Sequence, residues 1–341
     1  MTAEVRTSEP VLSVRDLAVD LMVDGRWTAI VKDVSFDLFP NETLGLVGES
    51  GSGKTVTSMA IMGLLGRSSV RTRGQVRLEQ TDLLSMSERE LTAVRGRDIA
   101  MVFQDSTRSL NPAFTVGDQV AEVVRRHMSL HRSEAWERAI ELLELVGIPQ
   151  ARRRAKDYPH QFSGGMCQRV MLASAMACEP KVLIADEPTT ALDVTVQAQV
   201  LDLMRELQER VGIAILLITH DLAVVAEMCQ RVAVMYAGEL VEQAAAEPLF
   251  VRPRHPYTAG LLASIPSPTA EAAAFGFIPG VVPRPGQEVR GCLFHDRCAD
   301  FVAGRCDEVH PALEPPEGDH RARCLRSDEL DLRGIDAPRV A

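Results

Sequence analysis

The sequence predicts an α/β fold built on a largely parallel sheet, broken by one helical stretch and followed by a small irregular unit. Three observations carry this. Between Val11 and about Gly238, short β-branched runs alternate with segments of helical apolar spacing. From Asp105 to about Pro180 the strand signals disappear. After about Pro253 the texture becomes proline-rich, and four of the seven cysteines crowd into one stretch.

Leu44–Val47, Val182–Ala185, Ile213–Thr219 and Val232–Tyr236 read as buried strands. Val56–Leu65, Ala135–Val146 and Val196–Arg210 place apolar residues at helical intervals. Past Pro253, Pro279, Pro283, Pro285, Pro311, Pro315 and Pro316 leave little room for regular structure. The expected division is a main domain over residues 1–255, with a helical subdomain over about 105–180, and an extension over 256–341.

Composition narrows the function classes. With 46% hydrophobic and 25% charged residues, the chain is ordinary globular material rather than disordered or collagen-like. Aromatics are only 4%, so aliphatic side chains must fill most of the core. A net charge of -10 argues against bulk nucleic-acid binding. No apolar run approaches the roughly 18–20 residues that span a bilayer. Met1–Pro10 is polar and lacks a signal-peptide core, which predicts a cytoplasmic chain able to dock on a membrane protein. The lysines are Lys32, Lys54, Lys156 and Lys181 alone, so each position stands out.

One of them ends a phosphate loop. Gly48-Glu49-Ser50-Gly51-Ser52-Gly53-Lys54-Thr55 fits G-x-x-x-x-G-K-[ST], with a strand before it and a helix after it. Glycines let the backbone curl around phosphates, and successive N–H groups at the helix start face the anion. Lys54 then reaches the β- and γ-phosphates, and the Thr55 hydroxyl ligates Mg²⁺. A second element supports the first: the apolar strand Val182–Ala185 ends in Asp186-Glu187. Asp186 is the candidate Mg²⁺ ligand and Glu187 the candidate base that polarises the attacking water. Gln104 and His220 follow the strand-like runs Ile99–Phe103 and Ile213–Thr219. They are candidates for Mg²⁺ or water contacts and for γ-phosphate contact.

Phe162-Ser163-Gly164-Gly165-Met166 lies between these two elements. With it, the sequence resembles the ATP-binding-cassette (ABC) ATPases over roughly Val11 to Glu242. Ser163-Gly164-Gly165 looks like their signature motif, and Asp186-Glu187-Pro188-Thr189 and Ala191-Leu192-Asp193 look like the Walker B segment and D-loop. Gln104 matches the Q-loop and His220 the switch histidine. The resemblance implies a P-loop NTPase cassette: a RecA-like core with an antiparallel β subdomain and a helical subdomain. Phe162 and Met166 depart from the general signature, but Tyr158–Met166 looks like the form found in peptide-importer ATPases. Trp27 precedes Lys32-Asp33-Val34-Ser35 where an adenine-stacking aromatic is expected; it fits that role or that of a loop-packing tryptophan.

Ser109-Leu110-Asn111-Pro112, Ala185–Asp193 and His255-Pro256-Tyr257-Thr258 through Pro266 resemble the ATPase subunits of dipeptide/oligopeptide permeases. That likeness implies peptide import with two transmembrane permease subunits, a substrate-binding protein and a second, non-identical ATPase subunit, at the cytoplasmic face of the membrane. Relatives of this type carry nickel, haem-type compounds or oligosaccharides on the same scaffold. A soluble ABC ATPase of translation or DNA repair fits less well: there is one cassette, and the gap from Gln104 to Ser163 is short.

Cys292, Cys298, Cys306 and Cys324 supply four thiols in 33 residues without the close pairs of a structural zinc site. Four thiolates on irregular loops suit a [4Fe–4S] cluster, which the subfamily resemblance also implies; Zn²⁺ is the alternative.

Overall fold

The computed structural model describes residues 9–66, 68–105, 109–190, 192–265, 277–317 and 319–335. Ala191 and Pro266, which belong to strings quoted above, lie outside them. Among the described residues the chain runs through β1 (Leu12–Val23), β2 (Arg26–Leu38), β3 (Thr43–Val47), α1 (Lys54–Ile61), β4 (Val70–Leu78), β5 (Thr81–Asp82), α2 (Glu88–Val94) and β6 (Ile99–Val102). It continues through α3 (Val116–Met128), α4 (Arg132–Leu145), α5 (Ala151–Arg154), α6 (Gly164–Ala175), β7 (Val182–Asp186), α7 (Val194–Val211), β8 (Ala214–Thr219) and α8 (Leu222–Met228). It ends with β9 (Arg231–Tyr236), β10 (Glu239–Ala245), α9 (Ala246–Val251), α10 (Pro256–Ala263), β11 (Glu314–Glu317) and β12 (His320–Ala322).

The chain forms two compact units, and the division falls inside β8. Among the described residues, the first holds those up to Leu12, Leu38–Glu42 and those within Leu78–Leu216; the second holds Ser13–Asp37, those within Thr43–Arg77 and those from Leu217 on.

In the second unit, β1, β2 and β4 lie in the order β2-β1-β4. Asp24 and Gly25, at φ 48° and 77°, join β1 to β2 through the two-residue left-handed turn that suits a twisted hairpin. β3 pairs in parallel with β9, from Leu44 opposite Arg231 to Val47 opposite Val234. Ala237-Gly238 makes a second such turn into β10, which runs antiparallel to β9. Beyond β10 the structure departs from the expectation of an appended, irregular extension. β12 pairs antiparallel with β10, with Glu242 opposite Ala322, and β11 pairs with β12. The C-terminal segment thus covers the open edge of β10, an edge whose N–H and C=O groups need partners.

In the first unit, β6 and β7 are parallel neighbours, from Ile99 opposite Val182 to Val102 opposite Ala185. Between them the described residues form helices and turns and no strand. Local capping sets the helix starts. Thr115 accepts from the Asp118 N–H at α3, and Asp193 accepts from the Val196 N–H at α7. Gly212, at φ 73°, ends α7 in the left-handed conformation. Helix α1 stops at Ile61, short of the expected Leu65, because Gly63 turns the chain at φ 63°.

Candidate nucleotide site

The phosphate loop belongs to the second unit. The fully buried strand β3 delivers the chain to Gly48, whose φ is 151°. A Cβ there would stand 2.1 Å from the Met235 carbonyl oxygen, so glycine alone fits. Gly53, at φ 106°, caps α1, and no acidic residue occupies the first turn of that helix. The first turn of α1 itself therefore carries no charge that opposes an anion at its positive end. Ser50, Gly51 and Thr55 are exposed, while Ser52 and Lys54 are buried. Lys54 Nζ donates to the Gly48 carbonyl at 2.7 Å and to the Glu49 carbonyl at 3.0 Å, which lays the ammonium along the inside of the loop. The Gly238 N–H donates to the Ser52 carbonyl at 2.9 Å and ties the loop to the β9–β10 turn.

In the first unit, strand register brings two candidate residues together. Val102 lies opposite Ala185, so Gln104 and Glu187, two residues on, leave the sheet at the same edge. Gln104 Nε2 donates to Glu187 Oε2 at 2.7 Å, and Thr190 Oγ1 donates to the same oxygen at 2.8 Å. Glu187 sits at φ 47°, an uncommon conformation for a side chain of its size, and is half-buried. Asp186, at the end of β7, is 2% exposed.

The same unit holds the signature turn. Ser163 caps α6, its hydroxyl accepting from the Met166 N–H at 3.4 Å. Ser163 and Gly164 are exposed. Gly165 is buried, and a Cβ on it would meet Val196 Cγ1 at 2.3 Å. That close approach seats α6 on the start of α7, which Asp193 caps through the Val196 N–H at 2.9 Å.

Comparison with known proteins identifies the family. Residues 31–190 fit the family model for the ABC transporter, and residues 241–306 fit that for the oligopeptide/dipeptide transporter C-terminal region. A probable peptide ABC transporter ATP-binding protein of Sinorhizobium fredii is 49% identical over 94% of this chain and 96% of its own length. The dipeptide transport ATP-binding protein of Bacillus subtilis is 46% identical, over 94% and 96%. The chain belongs to the ATP-binding subunits of dipeptide/oligopeptide ABC transporters. Among solved structures, a dimeric ATP-binding cassette in a post-hydrolysis state bound to ADP and phosphate matches with a TM-score of 0.62 and 26% identity, over 69% of this chain and 98% of that one.

Two further candidates lie in the second unit of this ABC subunit. His220 is exposed at the end of β8, just before Asp221 caps α8 through the Ala223 N–H. Trp27, at the start of β2, is half-buried, and the Arg71 guanidinium stands 3.9 Å over its ring. A cation thus covers one face of the indole.

The four C-terminal cysteines converge in the same unit. Cys292, Cys298, Cys306 and Cys324 line one small cavity of about 20 Å³, along with Phe294, His295 and Asp300. Burial pushes the Cys292 thiol up to about 12 and the Cys298 thiol up to about 11, and raises Cys324 as well. Among the described residues, no three His, Cys, Asp or Glu side chains stand close enough to hold a metal ion. Among the described residues, neither the [4Fe–4S] cluster nor the zinc alternative therefore has a preformed ligand set. The family model for the C-terminal region includes Cys292, Cys298 and Cys306 but stops short of Cys324.

Residues that the sequence reading did not single out complete the picture. Tyr257 Oη accepts from the Glu49 N–H at 2.8 Å, and Arg297 pairs with the Glu49 carboxylate. His255 caps α10, its Nδ1 accepting from the Tyr257 N–H at 3.1 Å. The string His255-Pro256-Tyr257, noted above only as a family likeness, is thus a helix start that aims a tyrosine at the phosphate loop. Arg297 offered no local signal, since its partner lies 248 residues away.

Proposed function

We propose that this chain is the ATP-hydrolysing subunit of an ABC importer for di- or oligopeptides, acting at the cytoplasmic face of the membrane. The observation that carries the reading is the glutamate after β7, held by Gln104 and Thr190, in a chain that also folds an intact phosphate loop. The full-length likeness to proteins named for peptide import supports the solute class.

Each residue has a part. The loop amides from Gly48 to Thr55 and the Lys54 ammonium take the β- and γ-phosphates. Thr55, Gln104 and Asp186 are the hydroxyl, amide and carboxylate for Mg²⁺, a donor set of hard oxygens that fits the ion. When bound, Mg²⁺ offsets charge on the phosphate oxygens. Glu187 accepts the proton of the attacking water while Gln104 and Thr190 orient its carboxylate. His220 contacts the γ-phosphate. Trp27 stacks adenine on the face that Arg71 leaves. Ser163, Gly164, Gly165 and Asp193 close over ATP held by a partner cassette.

The four-cysteine cavity offers a [4Fe–4S] cluster four sulfur donors, with Asp300 and His295 also on its wall. Cys292, Cys298, Cys306 and Cys324 would hold it as thiolates, and the cluster would staple a segment poor in regular structure. Two transmembrane permease subunits, a substrate-binding protein and a second, non-identical cassette complete the machine; nucleic acid has no part. Supporting a membrane partner is a groove of about 1060 Å³ beside α3 and α4, lined in part by Phe114, Thr115 and Trp136, with Phe114 54% exposed. No described helix is long and apolar enough to cross a membrane, so spanning segments fall to other subunits.

The test uses the assembled transporter. Glu187→Gln retains MgATP binding and loses about 10²–10⁴-fold in turnover, because an amide cannot accept the water's proton. Lys54→Ala loses MgATP binding itself. Undiminished hydrolysis by Glu187→Gln would overturn the assignment of the base, and peptide uptake unaffected by either change would overturn the transport reading.

A further inference from the structure

The C-terminal segment reaches back to the nucleotide site at one residue. Glu49, directly after Gly48, puts a carboxylate at a loop that must accept polyphosphate, a placement that repels the ligand unless the charge is answered. Arg297 answers it. Its Nη1 donates to Glu49 Oε2 at 2.7 Å and its Nη2 to Glu49 Oε1 at 3.0 Å, a two-pronged pair. The guanidinium is itself held: Nε donates to the Pro279 carbonyl at 2.8 Å, and its side chain is 4% exposed. The backbone of Glu49 is engaged as well. Its N–H donates to Tyr257 Oη at 2.8 Å, and its carbonyl accepts from Lys54 Nζ at 3.0 Å. Tyr257 is fully buried against Tyr236, at a ring separation of 4.6 Å, and against Phe294 at 5.4 Å. An otherwise aromatic-poor chain thus builds an aromatic base under this residue.

We propose that Arg297 is a positioning residue for ATP binding, neutralising Glu49 and, with Tyr257, fixing the entrance of the phosphate loop and the seat of Lys54. The C-terminal segment is then part of the nucleotide site. This rests on the reading of Gly48–Thr55 as the phosphate loop.

The experiment is a mutant cycle on the full-length chain, read as MgATP affinity by calorimetry and as the KM and kcat of the assembled transporter. Arg297→Gln strands the Glu49 charge beside the phosphates and weakens MgATP binding about 10-fold, seen in KM while kcat holds. Glu49→Gln combined with Arg297→Gln removes the stranded charge and recovers affinity to within about 3-fold of the parent. A structural role through Pro279 alone predicts no such rescue, and a double variant as weak as Arg297→Gln overturns the proposal. Tyr257→Phe keeps the ring packing and covers the case in which Arg297→Gln fails to fold. It deprives the Glu49 N–H of its acceptor and weakens MgATP about 5-fold or more; parental affinity in Tyr257→Phe overturns the clamp. If Lys54→Ala abolishes binding while the cycle shows no coupling, this inference alone falls. If the parent chain binds no MgATP, the reading beneath it falls too.

Discussion

Helices α1 and α6 both begin at Ser-Gly turns, Ser52-Gly53-Lys54 and Ser163-Gly164-Gly165. At α1 the glycines serve the backbone: Gly48 and Gly53 take positive φ, and Gly48 lies where a Cβ would strike the Met235 carbonyl. No side chain caps that helix, and no acidic residue occupies its first turn. At α6 a serine caps the helix, and the glycines serve surfaces instead. Gly165 lets α6 press onto Val196, while Gly164 is exposed and its nearest neighbour, Leu192, would be 3.8 Å from a Cβ. At α1 the glycines set the path of the backbone; at α6 they set the packing of a helix start that keeps one face open. The same residue types reach these two ends for different physical reasons, and only the neighbours reveal which.

Substitution separates the two uses. The largest effect is expected at Gly48: alanine there meets backbone, which cannot move aside, at a φ alanine rarely adopts. Gly48→Ala loses on the order of 3 kcal/mol or more in chemical denaturation, while Gly51→Ala, with nothing within 4 Å, loses only about 1 kcal/mol from its φ of 80°. Equal losses would refute the distinction between contact and φ. Next is acid, because the α1 loop rests on a titratable brace, His255 acting through Tyr257. Burial holds His255 down to about 3, against about 6.5 in the unfolded chain. The neutral ring's contribution is therefore present above pH 6.5 and fades as pH falls towards 3. From pH 7 to 5 it costs about 2 kcal/mol, and the effect should be absent in a denaturation series on His255→Asn. The smallest effect is at Gly165. Gly165→Ala costs about 1 kcal/mol against the stiff Val196 side chain, and adding Val196→Ala restores most of it, since the obstacle is a side chain and not backbone. Failure of that rescue would place the strain elsewhere in α6.

Legibility followed range. Strands β3, β7 and β9 stood out because each is a short, densely apolar run, buried along its length. Strands β1, β2 and β4 did not, since buried and exposed positions follow one another along them without steady alternation. Helix boundaries shifted by a few residues where a cap or a glycine intervened, as at Asp193 and Gly63. The C-terminal segment was read as irregular and appended because its two strands are only four and three residues long. Such strands carry no periodic signal, and they exist because β10 offers an edge to pair with.

The sequence by itself displayed the candidate phosphate loop, the carboxylates at the end of β7, the Ser-Gly-Gly turn and the four-cysteine set. In each of these the chemistry needs particular residue types at fixed local spacing, and local spacing survives in a linear string. Tertiary structure alone decided that Gln104 and Thr190 share one oxygen of Glu187, that Gly165 is a packing glycine, and that the C-terminal segment closes a sheet edge. It alone brought Arg297 to Glu49, 248 positions away along the chain. Pairings at that range follow from strand register and core packing, and they leave no pattern between neighbouring residues for a sequence to display.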